Sequence, residues 1–223
     1  MKASFALVAG LSAGLALVAP VTCIVKDEIK IHKLEQADPV GRPLKSSEIM
    51  MARQIFGDTV DYAKVRVHMT PYFGDPSVTV GNDIYMEMPS LHSDDYSEAL
   101  PSVQADLDHE IEHVQQKQNN GVLKDFFLAV KMARGYVAYK LFDDFSVYEY
   151  QLSENTDFAK LNSEQQASMV QDYKLVRERF RAAGCTNRAA PPACDDLTPK
   201  IKLYERKIGE ALPLPGALTF KPG

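Results

Sequence analysis

Two histidines four residues apart with a glutamate behind the first, His109-Glu110-Ile111-Glu112-His113, constrain this chain more than any other stretch of it. Positions i and i+4 share one face of a helix, so both imidazoles reach one tetrahedral Zn2+ only if this segment is helical. The flanking pattern predicts that helix: Val103, Leu107, Ile111 and Val114 keep a helical period from about Ala99, and Asn119-Asn120-Gly121 ends it. Ile111 and Val114 anchor one face to a core while the histidines look into a cleft. Glu110 is placed to take a proton from an attacking water. Glu112 points off that face and is expected to be a solvated charge.

A catalytic zinc takes three protein donors and keeps one position open. No third histidine follows His113, so a carboxylate from a later helix is expected. The stretch NSEQQASMVQDY, residues 162–173, offers Glu164 in the first turn of a helix capped at Ser163, with small Ala167 nearby to permit close packing. Asp172 is the rival donor, or an outer partner that orients a ligand histidine. Eight helical residues put Asp172 about 12 Å from Glu164 along the axis, so the two cannot both touch one metal. Tyr148, Tyr150 and Tyr173 could donate a hydrogen bond to a developing oxyanion, but for each a packed aromatic role is the default.

The remaining chain supplies the scaffold. Residues 24–31 predict a strand or extended lead-in, followed by a loop at Pro39, Gly41 and Pro43. A helix capped by Ser46 or Ser47 has an apolar stripe of Ile49, Met50, Ile55 and Phe56 and stops at Gly57. Val65–His68 and Val78–Met86 predict strands, the second broken at Gly81-Asn82-Asp83 by a turn signal that suggests a hairpin or a bulge. Further helices are expected over Val122–Tyr139, Ser163–Arg181 and Thr198–Ala211. The fold class is α+β, a small strand-containing N-terminal part on a mainly helical rear part.

With 45% apolar and 25% charged residues, 223 residues fit one ordinary globular domain. A net charge of −5, with both signs mixed along the chain, gives no footprint for nucleic acid. Lys2 and the apolar run from Ala3 to Val21 form an export pattern, so residues 1–23 are expected to be a signal peptide or N-terminal anchor. Cys23 stands where a lipoprotein cysteine would, but Pro20-Val21-Thr22 fits a lipobox poorly. Export implies a periplasmic or secreted protein, meeting the membrane only through that segment if it is uncleaved or lipidated. An oxidising compartment also permits a disulfide between Cys185 and Cys194. Residues 24–212 are then the folded domain and 213–223 an extended tail.

Four blocks in order carry a family resemblance: Arg53 to His68, Gly81 to Met86, His109 to Gln116, and Glu164-Gln165-Gln166-Ala167 followed by Asp172-Tyr173. Over about Ser47 to Leu175 they resemble the zinc metallopeptidase domains found near Rhs and Vgr proteins of bacterial secretion systems, related to those of contractile injection systems. The resemblance implies a zincin-like, gluzincin-type core in which His109, His113 and Glu164 hold Zn2+ and Glu110 is the general base. It implies hydrolysis of a peptide bond in a peptide or protein substrate, and a secretion-system component. A non-catalytic, zinc-stabilised envelope or secretion-apparatus protein is the alternative, favoured by a fourth protein ligand, and a delivered toxin or wall-acting hydrolase would share the chemistry. This chain departs from the family pattern after His113, where Val114-Gln115-Gln116 replaces an aromatic stretch and no Trp occurs at all.

Overall fold

The computed structural model describes residues 40–69, 77–86, 94–119, 147–185 and 194–218. The expected signal peptide or anchor at 1–23 with Cys23, the expected strand at 24–31 and the expected helix Val122–Tyr139 lie outside them. The described residues form an α+β fold: β1 (Arg42–Pro43), α1 (Ser46–Phe56), β2 (Arg66–Met69), β3 (Val78–Val80), β4 (Asp83–Met86), α2 (101–119), α3 (Ser163–Ala182) and α4 (Cys194–Gly209). The sheet runs β1-β2-β4-β3, with β2 parallel to β4 and the other two pairs antiparallel. A two-residue turn at Gly81-Asn82 joins β3 to β4, and Gly81 takes φ 68°, which a residue without Cβ adopts freely.

The first helix depends on a buried ion pair rather than on a serine cap. Lys45 occupies the N-cap position, and the Glu48 carboxylate accepts from the Lys45 backbone N–H at 2.8 Å. Arg42 donates to both oxygens of fully buried Glu48, at 2.7 and 2.8 Å. The Tyr96 backbone N–H donates to the same carboxylate at 2.9 Å, and the Arg42 guanidinium lies 5.3 Å from the Tyr96 ring centre. Glu48 thereby ties β1 and α1 to the 3-10 turn Tyr96–Glu98 that leads into α2. The apolar face of α1 is Met51, Ala52, Ile55 and Phe56; Met50 is 63% exposed. Helical geometry explains the correction, because Met51 sits about 40° from Ile55 around the axis whereas Met50 sits about 140° away.

Helix α2 is largely enclosed, with no exposed residue from Val103 to Gln116. Leu107, Ile111 and Val114 enter the core as their period predicts, and Val103 packs against it partly buried. Helix α3 is capped one residue earlier than expected, by a capping box in which the Gln165 N–H donates to Asn162 Oδ1 at 2.9 Å and the Asn162 N–H donates to Gln165 Oε1 at 3.0 Å. Helix α4 starts at Cys194, before the expected Thr198, and carries Pro199 inside. Asp195 and Asp196 occupy its first turn, where carboxylates favour the helix dipole. Cys185 and Cys194 are bridged, Cα to Cα 5.7 Å, joining the end of α3 to the start of α4.

Residues 212–218 pack on α1, with Leu212 and Leu214 buried. The Leu214 N–H donates to Ile55 O at 3.0 Å and the Gly216 N–H to Gln54 O at 2.7 Å, which satisfies carbonyls left over at the end of the helix. A Cβ on Gly216 would fall 2.6 Å from Gln54 Cβ, so the close approach requires glycine. Of the pairings in this part of the fold, the Glu48 clamp is the most costly to break. Glu48→Ala should lower stability by about 3 to 5 kcal/mol, read as a lower urea midpoint at unchanged slope, because it leaves Arg42 and two backbone donors without their acceptor.

Candidate metal centre

His109 and His113 lie one turn apart on α2, and their Nε2 atoms are 3.2 Å from one another. The rings stand edge to face, with centroids 5.0 Å apart at 75°. The capping box sets Glu164 in the first turn of α3, from which its Oε2 reaches to 3.3 Å of His113 Nε2 and 3.6 Å of His109 Nε2. Donors about 2.0 to 2.1 Å from a tetrahedral zinc stand about 3.3 to 3.4 Å from each other, so this triangle has the edges such an ion requires. Among the described residues these three side chains form the cluster of His, Cys, Asp and Glu donors able to share a metal. They are only 12 to 14% exposed, which shields the site while leaving it reachable.

Burial and charge oppose one another here. Burial disfavours the Glu164 carboxylate, yet hydrogen bonds and charge from His109 and His113 hold its acid form well below the usual carboxylate range. Burial likewise disfavours the His113 imidazolium, but Glu164, then Glu110 and Gln116, push its pKa up to about 9.

Gln116 orients His113. Its amide nitrogen lies 3.2 Å from Glu112 Oε1, 3.2 Å from Ser163 O and 3.0 Å from Gln166 Oε1, three oxygens that fix which end of the amide is which. Gln116 Oε1 therefore faces His113 Nδ1, which donates to it at 3.2 Å and leaves Nε2 as the nitrogen directed to the centre. The corresponding Nδ1 of His109 is buried with no hydrogen-bond partner among the described residues. Glu110 is 4% exposed and accepts a 2.7 Å hydrogen bond on Oε2 from the Thr79 hydroxyl of β3. Gln116 had a sequence signal, since three residues past a ligand histidine is the neighbouring position on a helix. Thr79 had none, because 31 residues and a sheet separate it from Glu110.

Two expectations need correction. Glu112 is not solvated: it is 1% exposed, and burial pushes its carboxyl up to about 8 against the hydrogen bond from Gln116. The side of α2 that carries Glu112 is covered, and Asp108 one turn before it is fully buried as well. Asp172 does not orient a ligand histidine; it accepts from the Tyr150 hydroxyl at 2.6 Å, and Tyr150 also meets the Tyr204 hydroxyl at 2.9 Å. Two helical turns and about 80° of rotation carry Asp172 away from the face that holds Glu164. Tyr148, Tyr150 and Asp172 line a groove of about 1000 Å3 that includes none of the three donors. Tyr173 is fully buried and donates to Glu205 at 3.1 Å, a core position.

No family model matches the chain. Over 154 residues it is 32% identical to the type VI secretion system spike protein VgrG2b of Pseudomonas aeruginosa, a match spanning 67% of this chain and 14% of that protein. The solved effector domain of Pseudomonas aeruginosa VgrG2b superposes with a TM-score of 0.57 at 25% identity, covering 91% of this chain and 98% of that one. The chain is homologous to that effector domain, and the homology supplies the link to VgrG proteins that the four sequence blocks suggested.

The Gln116 contact makes a direct prediction. Gln116→Leu should weaken binding of a divalent metal about 10- to 100-fold without removing any donor, measured by zinc titration against a competing chelator.

Proposed function

We propose that this homologue of a VgrG2b effector domain is a zinc-dependent hydrolase of peptide bonds, with Zn2+ held by His109, His113 and Glu164. The observation that carries the proposal is the convergence of two Nε2 atoms and one carboxylate oxygen, with edges of 3.2, 3.3 and 3.6 Å, beside a buried glutamate. Two imidazoles and one carboxylate suit zinc, and three protein donors are the number used where a fourth position serves the reaction. When bound, zinc supplies Lewis acidity that activates water and polarises a carbonyl.

The residues of the chain divide the remaining work. Glu110 takes the proton of the attacking water on its carboxylate and returns it to the leaving nitrogen as the C–N bond breaks. Gln116 keeps the His113 proton on Nδ1, so that Nε2 remains a donor. The apolar face of α2 fixes all of this to the core. A peptide or protein is the proposed substrate, and a secretion-system effector module the proposed setting, by analogy with the homologous domain. Export to the periplasm or beyond is the proposed location, supported by the N-terminal apolar run and by the Cys185–Cys194 bridge.

The purified domain should hold about one zinc per chain, and His109→Ala or His113→Ala should remove most of it by elemental analysis. Glu110→Gln should retain the zinc and lose about 100-fold or more of the activity found in a broad peptide-cleavage screen. Equal cleavage by wild type and this variant would exclude Glu110 as the base.

Uptake should also release protons. His113 holds its proton up to about 9 in the metal-free chain, so at pH 7 zinc displaces it and affinity falls as the pH drops. Calorimetric titrations in buffers of different ionisation enthalpy measure the number released.

A further inference from the structure

We infer that Thr79 is a positioning residue for Glu110, fixing which carboxylate oxygen faces the reacting water. The inference rests on the hydrolase proposed above and adds to it a residue from the sheet. Thr79 Oγ1 is 2.7 Å from Glu110 Oε2 and 3.1 Å from the Glu110 backbone oxygen. A hydroxyl has one proton to donate, and the shorter contact to a charged acceptor is the stronger one. Thr79 therefore engages Oε2, while Oε1 makes no hydrogen bond among the described residues.

The hydroxyl is held independently of the helix that carries Glu110. Thr79 is the middle residue of β3, paired with fully buried Ile84 of β4, and the Gly81-Asn82 turn fixes that register. A β-branched side chain on a strand has restricted χ1, so Oγ1 is fixed by the sheet. Glu110 has three rotatable bonds in its side chain and, without this contact, only its packing to hold them. With Oε2 engaged, Oε1 is the oxygen left to accept the water proton, whereas the Thr79 proton stays on its own oxygen throughout. Valine keeps the shape of threonine and removes the donor; serine keeps the donor and removes the methyl.

The test compares wild type, Thr79→Val, Thr79→Ser and Glu110→Gln, each loaded with zinc and checked for metal content. The first readout uses acetohydroxamate, a small zinc chelator whose acidic proton needs a neighbouring carboxylate. Thr79→Val should weaken it about tenfold, Thr79→Ser should restore it to within about twofold, and combining Thr79→Val with Glu110→Gln should add nothing to Glu110→Gln alone. The second readout is turnover of the best peptide from the screen. There Thr79→Val should lower kcat about 10- to 100-fold at nearly constant KM, with recovery in Thr79→Ser.

If Thr79→Val matches wild type in both readouts while Glu110→Gln is impaired, the role given to Thr79 is wrong and the hydrolase stands. Loss of zinc or fold in Thr79→Val and Thr79→Ser alike would make the residue structural and also overturn the inference. If zinc-loaded wild type fails to bind acetohydroxamate, or Glu110→Gln turns over peptide as fast as wild type, the hydrolase proposal itself falls and takes the inference with it.

Discussion

Everything at the candidate centre depends on one contact, the first turn of α3 set against the histidine face of α2. A carboxylate there is buried between two imidazoles, a position that burial alone would penalise heavily. The contact survives because each partner is held from behind. The Asn162–Gln165 capping box fixes where α3 begins, and Gln116 spans from His113 to Ser163 O and Gln166 on the opposite helix. Ala167, one turn along α3 from Glu164, is fully buried.

Helix α2 also carries buried ionisable groups away from the metal face. Asp108 is fully buried, and burial raises its carboxyl to about 6 while Lys174 and Arg177 of α3 pull it back. Glu112, four residues on, is held by Gln116. Lys174 and Arg177 of α3 offset the Asp108 charge only through space, since neither Asp108 oxygen nor Glu112 Oε2 has a hydrogen-bond partner among the described residues.

The sheet has two separate tasks. Through Glu48, which joins Arg42, Lys45 and Tyr96, it fixes the chain that enters α2 and so sets the height at which the histidines sit. Through Thr79 it reaches Glu110 directly. The strand region is thus coupled to the centre at the start of the metal helix and again at its second carboxylate. The disulfide acts elsewhere, closing the α3–α4 hairpin so that the far end of the helix carrying Glu164 is also tethered.

Periodicity and spacing were enough to find α2, the shared face of His109 and His113, the hairpin at Gly81-Asn82 and the position of Glu164 in a first turn. All of these are set within a few residues by backbone geometry, and so they are legible in one dimension. The same local rules misplaced Met50 by one helical position and assigned Glu112 to solvent, since the sequence of a helix does not say how many of its sides are covered. Asp172 had the right chemistry for an outer partner, but its distance from the histidines followed from how α3 crosses α2. Gln116 bridging to Ser163 and Thr79 reaching Glu110 are contacts between elements distant in the chain. The sequence by itself determined which atoms could bind a metal and on which turn they lie; the tertiary structure decided which of them meet and what holds them, because hydrogen bonds and burial between elements depend on packing that no local pattern encodes.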